Sequence, residues 1–392
     1  MSETLIVLLG DMTAGILERT RAGRLHFDYA EQHRTRWARQ FQVSASSPFS
    51  LLGTPIGRDC AGAVRFVPPK LAEQELSRSG EITWLTEGQI ADRLRELKAD
   101  STAWLGRSFT GQFSLAGAQA KTALLYQDGR WGVPHGAIAT THILKPAVAG
   151  LDDHDLNEHL CLDAARRAGL IAVRTRVAHF GDQTAIVIER YDRRQLDGQM
   201  VRIHQEDLCQ ALNVPPFRKY QNEGGPGPAQ IVGLFRRVMS PRNADLAVAR
   251  FLDALAWNWV IGGTDGHAKN YSPLLSGTQV RLAPLYDIAS AFPYETHERK
   301  LKLAMKLGGD YRVSPARNTW ARAAREMGLD PGFVLARVGE LTDRAADAFA
   351  EAAADPDVVA LQRDLPRRLL DVIAARAAHC ARLLESGPAQ AE

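Results

Sequence analysis

The chain has 392 residues, 45% apolar and 24% charged, with 48 Lys and Arg against 45 Asp and Glu for a formal net charge of +3. That length exceeds one compact core and implies more than one domain, and a charge this small with no long Lys/Arg block gives no support to direct DNA binding. Cys60, Cys161, Cys209 and Cys380 form no C-x2-C pair, which speaks for reduced thiols in a cytoplasmic protein rather than disulfides or zinc.

The first apolar run, Leu5-Ile6-Val7-Leu8-Leu9, lies between an acid and Gly10-Asp11 and reads as a strand, not a secretory segment; nothing approaches membrane-spanning length. With Ala14–Glu18 and Arg24–Tyr29 it predicts a β-meander, and residues 61–67 add a strand. Glu87–Leu97 predicts a helix, and a polar stretch over Asp100–Phe109 marks a boundary near residue 100. From Phe113 to Glu189 the strand candidates are Ser114–Tyr126, Trp131–Pro134, Thr141–Lys145, Arg174–Phe180 and Thr184–Glu189, interrupted by one helix over Asp155–Gly169. Asn243 to Ile261 is nearly continuous in apolar residues, including Leu246, Phe251, Leu252, Leu255, Trp259 and Val260. It predicts a buried helix capped by Asn243 and stopped by Gly262-Gly263. Val280–Ala283 alternates like a strand. Thr319–Met327, Pro331–Ala353 and Pro366–Leu384 predict amphipathic helices, and a tail at Gly387–Glu392 is expected to be disordered.

The chemistry concentrates in Gly263-Thr264-Asp265-Gly266-His267-Ala268-Lys269-Asn270, followed seventeen residues later by Asp287. An aspartate, four residues, an asparagine and then a later aspartate is the spacing that places a base and two metal ligands around a phosphoryl group. Asp265 is the candidate base, with Asn270 and Asp287 as candidate Mg²⁺ ligands. A plain Thr-Asp-Gly turn is the competing reading. Its context favours chemistry, because a buried helix delivers the loop and a strand carries Asp287 back, the order of a kinase C-lobe.

Lys145 ends a strand-like run and is the candidate phosphate lysine, with Glu158 thirteen residues on as its partner. Ser114–Thr122 fails as a Walker A loop, since Ala120 and Leu115 stand where glycines are needed. Small Ala116, Gly117 and Ala118, with Gln119, Ala120 and Lys121, read instead as a hairpin lid over phosphates. Glu189-Arg190-Tyr191 follows a strand and occupies the place of an interlobe hinge, where backbone groups bond adenine and Tyr191 packs its face. His154 and His159, five apart, diverge on a helix and do not suit zinc.

With these pieces in order the sequence resembles the HipA-type serine/threonine kinase toxins of bacterial toxin–antitoxin systems. The resemblance is carried by Phe113–Leu124, Thr141–Lys145, Glu189–Arg193, Gln205–Gln210, Lys219-Tyr220-Gln221 with Gly224–Gly227, Thr264–Asn270, Leu285–Ile288 and Leu301–Met305. It implies an α+β, two-lobed protein-kinase-like fold, with an extra N-terminal β subdomain (1–100), a β-rich N-lobe (101–192) and an all-α C-lobe (193–386). It implies ATP held by residues 116–121, Lys145, Glu189–Tyr191, His267–Asn270 including Lys269, and Tyr286-Asp287, with Mg²⁺ and with Asp265 as base. Ser114 matches the family's self-phosphorylated serine, whose phosphate would exclude ATP phosphates and silence the enzyme. The implied partners are a HipB-like helix-turn-helix antitoxin, operator DNA reached through it, and a translation component such as glutamyl-tRNA synthetase as substrate, all without a membrane. The resemblance departs in a shortened N-terminal subdomain and in Ala120 where some relatives carry Glu. A non-catalytic regulatory module and a small-molecule kinase are the alternatives.

Overall fold

A computed structural model describes residues 3–9, 12–19, 38–76, 80–100, 119–148, 150–196, 199–295, 297, 300–313 and 317–385. Two units emerge, one made of residues 1–152 and 178–205, the other of 153–177 and 206–392. The predicted strand Arg24–Tyr29, the lid residues Ser114, Ala116, Gly117 and Ala118, and the C-terminal tail lie outside the described residues.

In the first unit, β1 (Glu3–Leu9), β2 (Met12–Arg19) and β3 (Val64–Val67) form an antiparallel sheet in the order β2-β1-β3. A six-stranded sheet follows with β4 (Ile82–Trp84), β5 (Thr122–Gln127), β6 (Arg130–Pro134), β7 (His142–Lys145), β8 (Thr175–Phe180) and β9 (Gln183–Glu189), ordered β4-β6-β5-β7-β9-β8. The β5–β6 turn is Asp128-Gly129, with φ of 51° and 76°, the left-handed pair a two-residue hairpin requires. The Glu87–Ala99 helix opens with a capping box between Thr86 and Gln89 and buries Ile90, Ala91, Leu94 and Leu97. These pack in one core with Leu51, Ile56, Leu124, Leu144, Phe180 and Val187.

The exit of β9 is held by a buried ionic cluster. The Asp59 carboxylate accepts from Arg193 at 2.8 Å, Arg202 at 3.3 Å and Arg190 at 3.4 Å, and from the Thr140 backbone N–H at 3.2 Å. Asp192 accepts from Arg190 at 2.8 and 3.0 Å and from the Gly62 N–H at 2.7 Å. Burial alone would raise the Asp59 pKa, but Arg193, Arg190 and Arg202 hold it far below the usual carboxylate range. The segment before β3 is thereby tied to the hairpin β10 (Arg193–Leu196) and β11 (Gln199–Arg202).

The second unit is built around the Pro241–Ile261 helix, which buries Phe251, Leu252, Leu255, Trp257, Trp259 and Val260. Its cap is Ser240 with Pro241 in the first turn, not Asn243. Asn243 instead sends its amide to Gln279 and the Val280 carbonyl, both at 3.1 Å. Leu246, expected inside, is 55% exposed, because it faces away from the stripe that packs. Trp257 stacks on Phe349 of the Pro331–Ala353 helix, and Trp259 meets Trp320 of the Arg317–Glu326 helix edge-on. The Leu365–Glu385 helix completes the layer.

Two further features differ from expectation. The His154–Arg167 helix, assigned from sequence to the β-rich lobe, belongs to the helical unit, because its buried face packs on the Pro331–Ala353 helix. The half expected to be all-α (193–386) also carries antiparallel hairpins among its described residues: β10 with β11, Pro273–Ser276 with Gln279–Leu282, and Lys302–Leu307 with Asp310–Arg312. His154 stacks on Tyr294 and His159 Nδ1 bonds the Thr175 hydroxyl at 2.8 Å.

Candidate active site

The helix that supports the loop ends sharply. Gly262 has φ of 66° and its N–H closes onto Asn258, and a Cβ on Gly263 would lie 2.1 Å from Asn258 Oδ1. Asn258 is itself fixed, donating to Ala254 at 3.0 Å and to the Tyr271 hydroxyl at 3.2 Å. The pair of glycines therefore turns the chain tightly over a buried amide and sends it into Thr264–Asn270.

Within that loop, the His267 N–H donates to the Asp265 carbonyl at 2.7 Å and the Asn270 N–H to the His267 carbonyl at 2.9 Å. Asn270 Nδ2 donates to the Asp265 carbonyl at 2.8 Å and to the Asp287 carbonyl at 3.2 Å. One side chain thus joins the backbone of the two aspartates. With its nitrogen spent, Asn270 keeps an oxygen that has no donor among the described residues, the atom a hard cation requires.

Asp287 sits at φ of 59°, a left-handed conformation that aspartate tolerates better than most residues. The surroundings impose it. Leu285 exchanges backbone bonds with Ile171 and Val173 at 2.8 and 2.9 Å, and the Tyr286 hydroxyl bonds the Lys269 carbonyl at 2.9 Å and Ser272 at 2.7 Å. Beyond Asp287, Asn157 clamps the Ser290 backbone, donating to its carbonyl at 2.8 Å and accepting from its N–H at 3.1 Å.

The Asp265 carboxylate is 65% exposed and accepts from the Tyr220 hydroxyl, with His267 Nε2 3.8 Å from the same oxygen. Burial and the Asp265 carboxylate push the Tyr220 pKa upward, so its hydroxyl remains a donor. Burial lowers the His267 pKa against the pull of Asp265, which keeps the imidazole neutral near neutral pH. Lys269 Nζ forms an ion pair with Asp207, the capping residue of the Leu208–Ala211 helix.

The remaining predicted residues lie in both units. Gln119 Nε2 donates to the Pro146 carbonyl at 3.4 Å, tying the end of the lid segment to the chain after β7. Lys121 and Lys145 are buried at the start of β5 and the end of β7. Glu158 is buried on the His154–Arg167 helix, in the helical unit, whereas Lys145 is in the β-rich one. Glu189 is exposed, and the Tyr191 hydroxyl bonds Gln205. Arg190 departs from its expected part, since its N–H donates to the Thr141 carbonyl at 2.9 Å and its guanidinium is consumed by Asp192 and Asp59. Asn157, Asn258 and Tyr220 were not singled out as site residues from sequence. Tyr220 stood in a motif without a role, and Asn157 adjoins Glu158.

These features fit a class, a kinase of protein-kinase-like fold, with the loop Thr264–Asn270 carried on its helical unit. The model of the HipA-like C-terminal domain matches residues 113–349. The putative kinase Y4mE of Sinorhizobium fredii is 36% identical over 357 residues, covering 88% of this chain and 82% of that protein. The serine/threonine-protein kinase toxin HipA of Shewanella oneidensis is 30% identical over 276 residues, covering 67% of this chain and 61% of that one. In a solved complex of Shewanella oneidensis HipA, HipB and operator DNA, a chain matches this fold with a TM-score of 0.73 at 23% identity, over 90% of this chain and 83% of that one. The chain belongs to the HipA-like family. Among the described residues, no helix is long and apolar enough to cross a membrane.

Proposed function

We propose that the chain is an ATP-dependent serine/threonine protein kinase that acts in the cytoplasm as the toxin of a toxin–antitoxin pair. The observation that carries the chemistry is the bridge from Asn270 to the carbonyls of Asp265 and Asp287 at 2.8 and 3.2 Å, which sets the spacing of base and ligands. Asp265 is proposed as the base that takes the proton of the attacking hydroxyl, whose oxygen bonds the terminal phosphorus as the bond to the departing ADP oxygen breaks. Asn270 Oδ1 and Asp287 suit Mg²⁺, which takes one or two protein oxygens beside substrate phosphates and would neutralise charge on the transferring group. The donor set fits, since an amide oxygen and a carboxylate are the hard oxygen ligands that Mg²⁺ takes.

Lys145, Lys121, Gln119 and Ala120 with the lid are proposed to contact phosphates, and Glu189 and Tyr191 to meet adenine. Arg190 supports that segment from behind. Glu158 is proposed as the partner of Lys145, His267 and Tyr286 as shapers of the nucleotide pocket, and Ser114 as a self-phosphorylation site that shuts the enzyme off. A helix-turn-helix antitoxin is the proposed partner, supported by the HipB in the complex of the structural relative. A translation component such as glutamyl-tRNA synthetase is the proposed class of substrate.

The test is transfer of label from γ-³²P-ATP with Mg²⁺ into the protein itself and into a lysate, with Asp265→Asn and Asp287→Asn alongside. Both variants should lose at least about a thousandfold in rate while keeping the thermal midpoint of the parent. Label transfer that persists in folded Asp265→Asn would remove the assignment of the base.

A further inference from the structure

Tyr220 lies in the Lys219-Tyr220-Gln221 segment, which the proposed chemistry leaves without a task. In the fold its hydroxyl donates to Asp265 Oδ1. Since this carboxylate is 65% exposed and His267 Nε2 stands 3.8 Å away, beyond hydrogen-bond reach, Tyr220 is the side chain that restrains its rotation among the described residues.

Tyr220 is held far more firmly than a surface tyrosine requires. Its carbonyl accepts from the Glu223 N–H at 3.0 Å and the Gly225 N–H at 2.9 Å. A Cβ on Gly225 would lie 2.4 Å from the Arg218 carbonyl oxygen and 2.7 Å from that of Tyr220, so this turn closes only with glycine. The Lys219 carbonyl accepts from the Ala268 N–H of the catalytic loop at 3.3 Å, and Gln221 Oε1 accepts from the Lys306 N–H at 2.6 Å. The Tyr220 ring meets the buried His267 ring edge-on at 5.1 Å, with Lys219 Nζ 5.0 Å from its face. A segment fastened at one end to the loop and at the other to the Lys302–Leu307 strand thus presents one hydroxyl to one carboxylate oxygen.

We propose that Tyr220 is the positioning residue for the catalytic carboxylate, holding Asp265 Oδ1 so that Oδ2 faces the hydroxyl to be phosphorylated. This rests on the assignment of Asp265 as base. An exposed carboxylate left free spreads over several rotamers, and the fraction in the productive one multiplies the rate of transfer without touching nucleotide affinity. Tyr220 touches neither reacting atom in this scheme; it acts through Asp265.

The experiment compares the full-length protein with Tyr220→Phe, Asp265→Asn and the double variant. Initial rates of label transfer from γ-³²P-ATP into lysate protein give kcat and the KM for ATP, ADP titration gives Kd, and melting reports the fold. Phenylalanine keeps the ring edge on His267, so the melting midpoint should stay within about 2 °C. The expected result is a fall of about tenfold in kcat, with KM for ATP and Kd for ADP unchanged and no further loss when Tyr220→Phe is added to Asp265→Asn. A kcat equal to the parent's overturns the inference and leaves the base assignment standing. So does a rise in kcat, which would make the tyrosine a block on the carboxylate, or a parallel loss of ADP affinity, which would make it a general brace. Activity retained in Asp265→Asn overturns the base assignment and the inference with it.

Discussion

Asn270 divides the two ends of its amide. The nitrogen pins the carbonyls of Asp265 and Asp287, and the oxygen is the atom proposed for Mg²⁺. Spacing alone singled out Asp265, Asn270 and Asp287 as candidates, and the fold links them through the Asn270 amide. Spacing could not identify Asn157 or Tyr220, whose partners are Ser290 and Asp265, 133 and 45 positions away. His159 offers a test of burial at the scale of one ring. Burial lowers its pKa, against the opposing pull of Asp163 and Asp355. An unfolded chain takes up that proton near the ordinary value of about 6.5, so the stabilising contribution is whole above that pH and is lost as pH falls toward the folded value. The thermal midpoint should therefore drop more between about pH 7.5 and 5.5 in the parent than in His159→Asn, whose amide takes the place of Nδ1 and does not titrate. Equal drops in differential scanning calorimetry would show that this imidazole is protonated in the folded state.

Elements followed sequence closely where periodicity and capping agreed. The Glu87–Ala99 helix has both a capping box and a repeating apolar face, and it formed where predicted. The Pro241–Ile261 helix was predicted with the right end and the wrong start. Pro241 is favoured in a first turn, so the cap moved to Ser240 and Asn243 was free to bind the Gln279–Leu282 strand. The exit of β9 shows the opposite limit, for Arg190 read as hinge surface and is instead buried against Asp192 and Asp59. This cluster holds three arginines and two aspartates, and removing one carboxylate leaves buried guanidinium groups short of countercharge. Asp59→Asn is expected to cost about 3–5 kcal/mol in urea unfolding. A loss below about 1 kcal/mol would mean that water reaches the arginines and screens them.

At the scale of the molecule, the chain passes between its two units at residues 152/153, 177/178 and 205/206. The helical unit is therefore discontinuous, and a linear division at residue 192 separates its two segments and falls inside the 178–205 segment of the other unit. A fragment of residues 206–392 lacks the His154–Arg167 helix, which covers the Pro331–Ala353 helix and supplies the Asn157 clamp on Ser290. It also loses Ile171 and Val173, the backbone partners of Leu285. Expressed alone, this fragment should melt without a cooperative transition in circular dichroism, and co-expression with residues 153–177 should restore one. A cooperative transition in the fragment by itself would show that the helical core closes without that crossing segment.

Sequence by itself determined the kinase class, carried by ordered motifs, and the helices whose caps and apolar periodicity agree, such as Glu87–Ala99, since those signals are local. Only the tertiary structure decided which unit owns the His154–Arg167 helix, that Arg190 is interior, and that Tyr220 and Asn157 brace the site. Those outcomes depend on which buried surfaces and polar groups find partners across long separations, and burial is a property of the packed chain rather than of any stretch of it.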